Sequence, residues 1–149
     1  MGRKIVPDLV ANQILSTVTP SNTALDAARI MAERNIGAVL VVERGHLVGI
    51  CTERDIAQRV CARSRNAEVT LIGEIMTRDP ATVAPDETPT RALEIMRRIG
   101  CRHLPVMADE RIVGMLSIRD LYAAIHQELE EDLRMRDELF MGSGYGVTN

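Results

Sequence analysis

Between Ser16 and Leu121 the pattern of apolar and polar positions changes period in a fixed order, and it does so twice. A short β-like piece, Ser16–Val18, comes first. Leu25, Ala28, Met31 and Ala32 then recur at the spacing of one helix face. Thr23 is placed to cap that helix, with Asp26 three residues on as in a capping box. Two β-rich runs follow, Ala38–Val42 and Leu47–Cys51, separated by the polar turn Glu43–His46, and a second helix is predicted from Glu53. Runs this apolar on both faces suit buried strands. The second passage repeats the order. Ala81–Val83 leads to a helix capped by Thr88, with Pro89 at the first position, where its missing N–H costs nothing. Its face is Ala92, Ile95, Met96 and Ile99; strands at Leu104–Met107 and Ile112–Leu116 flank the turn Ala108–Glu110, and a helix starts at Ile118. The unit is β-α-β-β-α.

The two passages are in exact register. Moving Val18–Ile56 along by 65 positions lays it on Val83–Leu121 without a gap, with identities that include Pro20/Pro85, Ala27/Ala92, Met31/Met96, Gly49/Gly114, Arg54/Arg119 and Asp55/Asp120. Self-similarity at a fixed period sets the architecture before any local assignment. Two units of this size are expected to share one core, and any site they build should exist in two related copies. The connector Ala62–Glu68 is polar, and Thr70–Met76 leads into the second unit; Met1–Leu15 parallels that lead-in only loosely. Beyond Ile125 the last helix is expected to run on to about Phe140, with Ile125, Leu129 and Leu133 forming an apolar stripe among acids. Such a stripe packs on its own domain or serves a dimer contact. The glycine-rich tail Gly142–Asn149 is expected to fray.

Composition narrows the function classes. The 149 residues are 46% hydrophobic and 26% charged, ordinary for a globular chain, but only 2% aromatic. Base stacking on aromatic platforms is therefore disfavoured, and a net charge of −3 argues against a general phosphate-backbone binder. No nucleic-acid partner is expected. Cys51, Cys61 and Cys101 form no CxxC pair and read as small buried hydrophobes rather than a disulfide framework. The first residues lack the apolar core of a secretory signal, and no run approaches a membrane span, so a cytoplasmic, reduced chain without a membrane partner is expected. His46 and His126 read as exposed. His103 with Cys101 would make too few ligands for a metal, and no metal is expected. The order Ser-His-Asp or Cys-His, an HExxH and a Walker A loop are all missing, so no enzymatic activity is expected.

The strongest chemical signal lies where the third strand of each unit meets its second helix: Gly49-Ile-Cys-Thr52-Glu-Arg54-Asp55 and Gly114-Met-Leu-Ser117-Ile-Arg119-Asp120. A glycine there lets a ligand or another backbone approach. The hydroxyl residue can cap the helix, whose outward N–H groups then offer a phosphate site. An Asp one turn in can accept both hydroxyls of a ribose, and Arg54 and Arg119 can add charge to a phosphate. The alternative is that Thr52 and Ser117 only cap helices, with Asp55 and Asp120 as ordinary first-turn acids.

These residues carry a resemblance. The doubled unit and the motif G-φ-φ-[ST]-x-x-D (φ apolar), with Val18-Thr-Pro, Val83-Ala-Pro and Arg102-His-Leu-Pro-Val106, resemble paired CBS domains, named after cystathionine beta-synthase. The likeness is to a stand-alone bacterial or archaeal two-repeat protein. It implies an α/β (α+β) fold of two repeats, 10–62 and 75–127, packed with pseudo-twofold symmetry as a Bateman module, with 128–149 as a C-terminal helical extension and flexible tail. It implies adenosine-type ligands (AMP, ADP or ATP, with S-adenosylmethionine or NAD(H) as others) and no required cofactor. Carried over by position, one pocket would use Thr52, Arg54 and Asp55, completed by Thr77 and Thr82. The other would use Ser117, Arg119 and Asp120, with Arg102 and His103 for phosphate and Thr17 from the first unit. Main-chain groups near Gly37–Ala38 and Cys101–Arg102 would meet the adenine edge. Because Gly37 and Ala38 stand where Arg102 and His103 stand in the other copy, the Asp120 pocket is expected to prefer phosphorylated ligands more strongly.

Two functions compete on this basis. One is a non-catalytic sensor, a homodimer that passes adenine-nucleotide binding to an unidentified regulated protein. The other is a structural or oligomerisation module with vestigial pockets that acts through protein partners.

Overall fold

The computed structural model describes residues 2–143; the expected fraying tail lies, from residue 144 on, outside the described residues. In the first unit β1 (Thr17–Val18), α1 (Ala24–Arg34), β2 (Ala38–Glu43), β3 (His46–Thr52) and α2 (Glu53–Asp55) follow the predicted order. The chain stays helical after α2, through wide π-type turns at Ile56–Val60 and a tighter turn at Cys61–Arg63. The lead-in is a short α3 (Ile72–Ile75) and β4 (Thr77–Arg78). The second unit has α4 (Pro89–Ile99), β5 (His103–Ala108), β6 (Arg111–Ser117) and the long α5 (Ile118–Ser143). The predicted strand at Ala81–Val83 shrinks to one parallel bridge, Val83 to Val106.

Local chemistry explains the helix ends. Thr23 and Asp26 form the anticipated capping box on α1, and Asn35 closes it in the left-handed conformation. Thr88 accepts the Arg91 N–H at the start of α4, where Pro89 occupies the first turn, and Gly100 closes that helix at φ +78. The duplication extends to irregularities: the β2–β3 ladder slips between Val41 and Val42, and β5–β6 slips at the matching Val106 and Met107.

The buried side chains form two cores instead of the single one expected. Val18, Ala27, Met31, Val39, Val41 and Cys51 gather around Ile72, Ile75 and Met76, which come from the lead-in to the second unit. Val83, Ala92, Met96, Leu104, Val106, Leu116 and Leu121 gather around Ile5 and Val10, which come from the chain's beginning. Each lead-in thus closes the other unit's core. The exchange is reciprocal, as a twofold relation requires, and two cores result because each unit is a separate layer completed from outside.

The crossings occur at Gly49 and Gly114. β4 pairs with β3 there, Gly49 opposite Arg78. A Cβ on Gly49 would stand 2.6 Å from Met76 Sδ and 2.9 Å from the Thr77 carbonyl oxygen. At Gly114 the equivalent pairing is made by a side chain: Gln13 Nε2 donates to the Met115 carbonyl at 3.0 Å, and Met115 N–H donates to Gln13 Oε1 at 2.8 Å. A Cβ on Gly114 would collide with Val10 Cγ1. The motif glycine therefore admits another stretch of this chain, not a ligand. Gly114→Ala is expected to cost about 1–3 kcal/mol through overpacking against the stiff, buried Val10. Urea unfolding checks it: if the collision is the cause, the double variant with Val10→Ala should lose less than the sum of the two single losses.

Two expectations of burial need correction. Cys51 is buried and Cys101 half-buried, but Cys61 is exposed, because the tighter turn at Cys61–Arg63 carries it to the surface. On α5 only the first turns are covered. Leu121 and Ala124 are buried and Ile125 half-buried, whereas Leu129 is 58% and Leu133 60% exposed. The stripe does not pack on its own domain past Ile125, since the helix outruns the unit that covers its start. Arg3 ties the N-terminal segment to it, donating to Gln127 Oε1 and Glu131 Oε1 at 3.0 Å each.

Candidate functional site

Two clefts open where the units meet. The first, about 390 Å³, is walled by Gln13–Ser16, the Asn35–Ala38 turn into β2, Arg102–His103, and the β6–α5 junction with Met115 and Ser117–Asp120. The second, about 360 Å³, is walled by the β3–α2 junction Thr52–Asp55, Gln58 and Arg59, with Thr77, Pro80 and Ala81 from the second lead-in and Ile99–His103. Both volumes suit small-molecule sites. Ala38, Arg102, His103, Ser117, Arg119 and Asp120 line the first; Thr52, Arg54, Asp55 and Thr77 line the second. Thr17 and Thr82 line neither. Their neighbours Ser16 and Ala81 do, since alternate residues of an extended chain point to opposite sides.

The paired motifs act first as helix caps. Thr52 N–H donates to Asp55 Oδ2 at 2.9 Å and Asp55 N–H returns to Thr52 Oγ1 at 3.1 Å. Ser117 donates to Asp120 Oδ2 from its N–H at 2.9 Å and its hydroxyl at 2.8 Å, and Asp120 N–H returns to Ser117 Oγ at 3.2 Å. The Glu53 N–H is held by the Gly37 carbonyl at 2.9 Å and the Ile118 N–H by the Arg102 carbonyl at 2.8 Å. Capping thus uses up helix-start amides that the sequence offers to a phosphate, and one lone pair of each carbonyl it offers to a base.

What is left differs between the copies. Arg59 Nε lies 3.7 Å from Asp55 Oδ1 while its Nη1 donates to the Ile75 carbonyl at 2.7 Å, so both Asp55 oxygens are engaged. The position equivalent to Arg59 is Ala124, and Asp120 Oδ1 has no partner among the described residues. Arg54, Arg102 and Arg119 likewise form no ion pair among the described residues.

The charge difference expected between the clefts is not observed. Gly37, Glu53, Arg102 and His103 line both. Gly37, Glu53 and His103 meet at one point: a Cβ on Gly37 would lie 3.2 Å from His103 Cε1 and 3.4 Å from Glu53 Oε1. Arg102 and His103 belong to a common wall, so copy-by-copy comparison cannot assign them to one cleft. Burial pushes the His103 pKa down, opposed by the Glu53 and Asp120 carboxylates and aided by Arg102 and Arg119, so the imidazole is neutral near pH 7. Sequence reasoning missed Glu53, Gln13 and Ser16. Glu53 matches Ile118 in the other copy and reads as a routine first-turn acid, so no signal marked it. Burial lifts the Cys51 thiol to about 12 and raises that of Cys101, leaving both protonated near neutral pH.

Among the described residues, no group of three or more His, Cys, Asp or Glu could hold a metal ion, and no helix is long and apolar enough to cross a membrane.

Comparison with known proteins agrees on one family. The model of the CBS domain matches residues 5–61 and 72–127. The chain is 36% identical over 132 residues to the CBS domain-containing protein CBSX3, mitochondrial, of Arabidopsis thaliana; the match covers 85% of this chain and 64% of that relative. It is also similar to the structure of a putative signal-transduction protein with CBS domains from Burkholderia ambifaria MC40-6. That match has a TM-score of 0.78 at 34% identity and covers 83% of this chain and 93% of that one. The CBS domain pair of protein MJ0100, solved in complex with 5′-methylthioadenosine and S-adenosyl-L-methionine, matches at TM-score 0.68 and 31% identity, covering 78% and 92% of the two chains.

Proposed function

The chain belongs to the CBS-domain family, and from that premise we propose that it is a non-catalytic sensor binding an adenosine-type ligand, foremost AMP, ADP or ATP, between its two repeats. The observation that carries this is the first cleft. There Asp120, whose Oδ1 has no partner among the described residues, shares a wall with Arg102 and Arg119, which form no ion pair among those residues. Asp120 accepts a ribose hydroxyl and the arginines take the phosphate, with Ser117 holding the carboxylate in place. Ala38 and its neighbours bound the base. In the second cleft Thr52, Arg54, Asp55 and Thr77 play the corresponding parts with a less available carboxylate. The adenosine common to both ligands of the MJ0100 pair supports this choice of class.

Ligand binding regulates by favouring one arrangement of the repeats, or of a homodimer, and a difference of about 1–3 kcal/mol between arrangements suffices. The regulated protein is a cytoplasmic partner. A second reading, an assembly module with vestigial pockets, draws on the exposed Leu129 and Leu133 of α5.

Calorimetric titration with AMP, ATP, S-adenosylmethionine and NADH is the test. At least one should bind below millimolar. If none does while circular dichroism shows an intact fold, the sensor is excluded, and loss of an assembled state on truncation after Ile125 would favour the assembly module.

A further inference from the structure

The two clefts are not independent compartments. Arg102 and His103 line both, and so does Glu53, whose carboxylate forms no ion pair among the described residues. Beyond this wall the arginines that form no ion pair among the described residues are divided: Arg119 lines only the first cleft, and Arg54 only the second. Arg59, also in the second, is committed to Asp55 and to the Ile75 and Met76 carbonyls. One shared arginine therefore lines two mouths.

We infer that the clefts form a single anion site with two entrances, so that each chain binds one phosphate-bearing ligand tightly and a second one at least tenfold more weakly. The first anion to arrive, from either side, takes Arg102. A second then meets one remaining arginine, the fixed negative charge of Glu53 and the field of the first ligand across a common wall, where low local dielectric strengthens repulsion. An uncharged nucleoside escapes this penalty, because neither Arg102 nor Glu53 discriminates against it. The vacant entrance thus stays open to a neutral ligand, and the module reads a mixed pair, one nucleotide beside one nucleoside. This inference rests on the adenosine-type reading of the clefts and adds their charge rule to it.

Calorimetric titration of the full chain separates the possibilities. AMP should bind in two steps whose dissociation constants differ at least tenfold, or in a single step of one per chain. Adenosine added to AMP-saturated protein should bind within about threefold of its affinity for free protein. Glu53→Gln should narrow the gap between the AMP steps, and Arg102→Ala should weaken the first step more than the second. Two equal AMP steps overturn the inference. So does AMP-saturated protein that refuses adenosine, since exclusion would then be steric. Failure of AMP to bind at all would remove the nucleotide reading itself and this inference with it.

Discussion

Deleting residues 2–10 should lower the thermal midpoint by roughly 10 °C or more, with the damage centred on the second repeat. Ile5 and Val10 are fully buried in the core formed by Val83, Ala92, Met96, Leu104, Leu116 and Leu121. Each such side chain contributes about 1.5–3 kcal/mol by leaving water. Against a typical total stability of about 5–15 kcal/mol, losing both is severe. The deletion also removes the Ile5 and Val6 N–H bonds to the Glu87 and Pro85 carbonyls, at 3.0 and 2.8 Å. Hydrogen exchange should show protection collapsing in β5 and β6 before β2 and β3, whose core holds neither residue. An unchanged midpoint would mean that the segment only lies on the surface. Ile5→Ala is the milder version, expected to cost about 2–5 kcal/mol.

Asp120→Ala should weaken nucleotide binding about ten- to a hundredfold, the equivalent of losing a charge-assisted bond worth about 1.5–3 kcal/mol. The difficulty is that Asp120 also caps α5 through Ser117, so some loss of stability is unavoidable. α1 supplies the control. Thr23 and Asp26 make the same box, Asp26 Oδ2 accepting the Thr23 N–H at 2.9 Å, and neither residue lines a cleft. Asp26→Ala should therefore reproduce the thermal shift and leave binding untouched. Asp55→Ala should weaken binding less than Asp120→Ala, because Arg59 already draws on Asp55 Oδ1. If Asp120→Ala and Asp26→Ala change binding equally, the motif is a cap and nothing more.

Much of the fold was legible because the duplicated hydrophobic period is local information. Thr23, Thr88 and Pro89 declare their helix starts within a few residues, and Ala38–Val42 can hardly be anything but a buried strand. The reciprocal lead-ins were not legible. At the position matching Thr77 and Arg78 the first lead-in has Asn12 and Gln13, and it makes its contact through the Gln13 amide group instead of a strand pair. Tertiary pairing by a side chain leaves no period in the sequence. The candidate site divides in the same way. Thr52, Asp55, Ser117 and Asp120 announce themselves by repetition, whereas the common wall of Gly37, Glu53, Arg102 and His103 exists only once the units face each other. Glu53, set against an apolar Ile118 in the other copy, stays invisible to an argument from repeats.

The crossed lead-ins also set an order of events during synthesis. The first core needs nothing beyond Met76 and can close while the rest of the chain is still being translated. The second needs Ile5 and Val10 together with Leu121, so residues translated early in this stretch must wait for others translated much later. Until then two large aliphatic side chains have no home, and the half-made protein has a sticky end for a chaperone, or a neighbouring nascent chain, to hold.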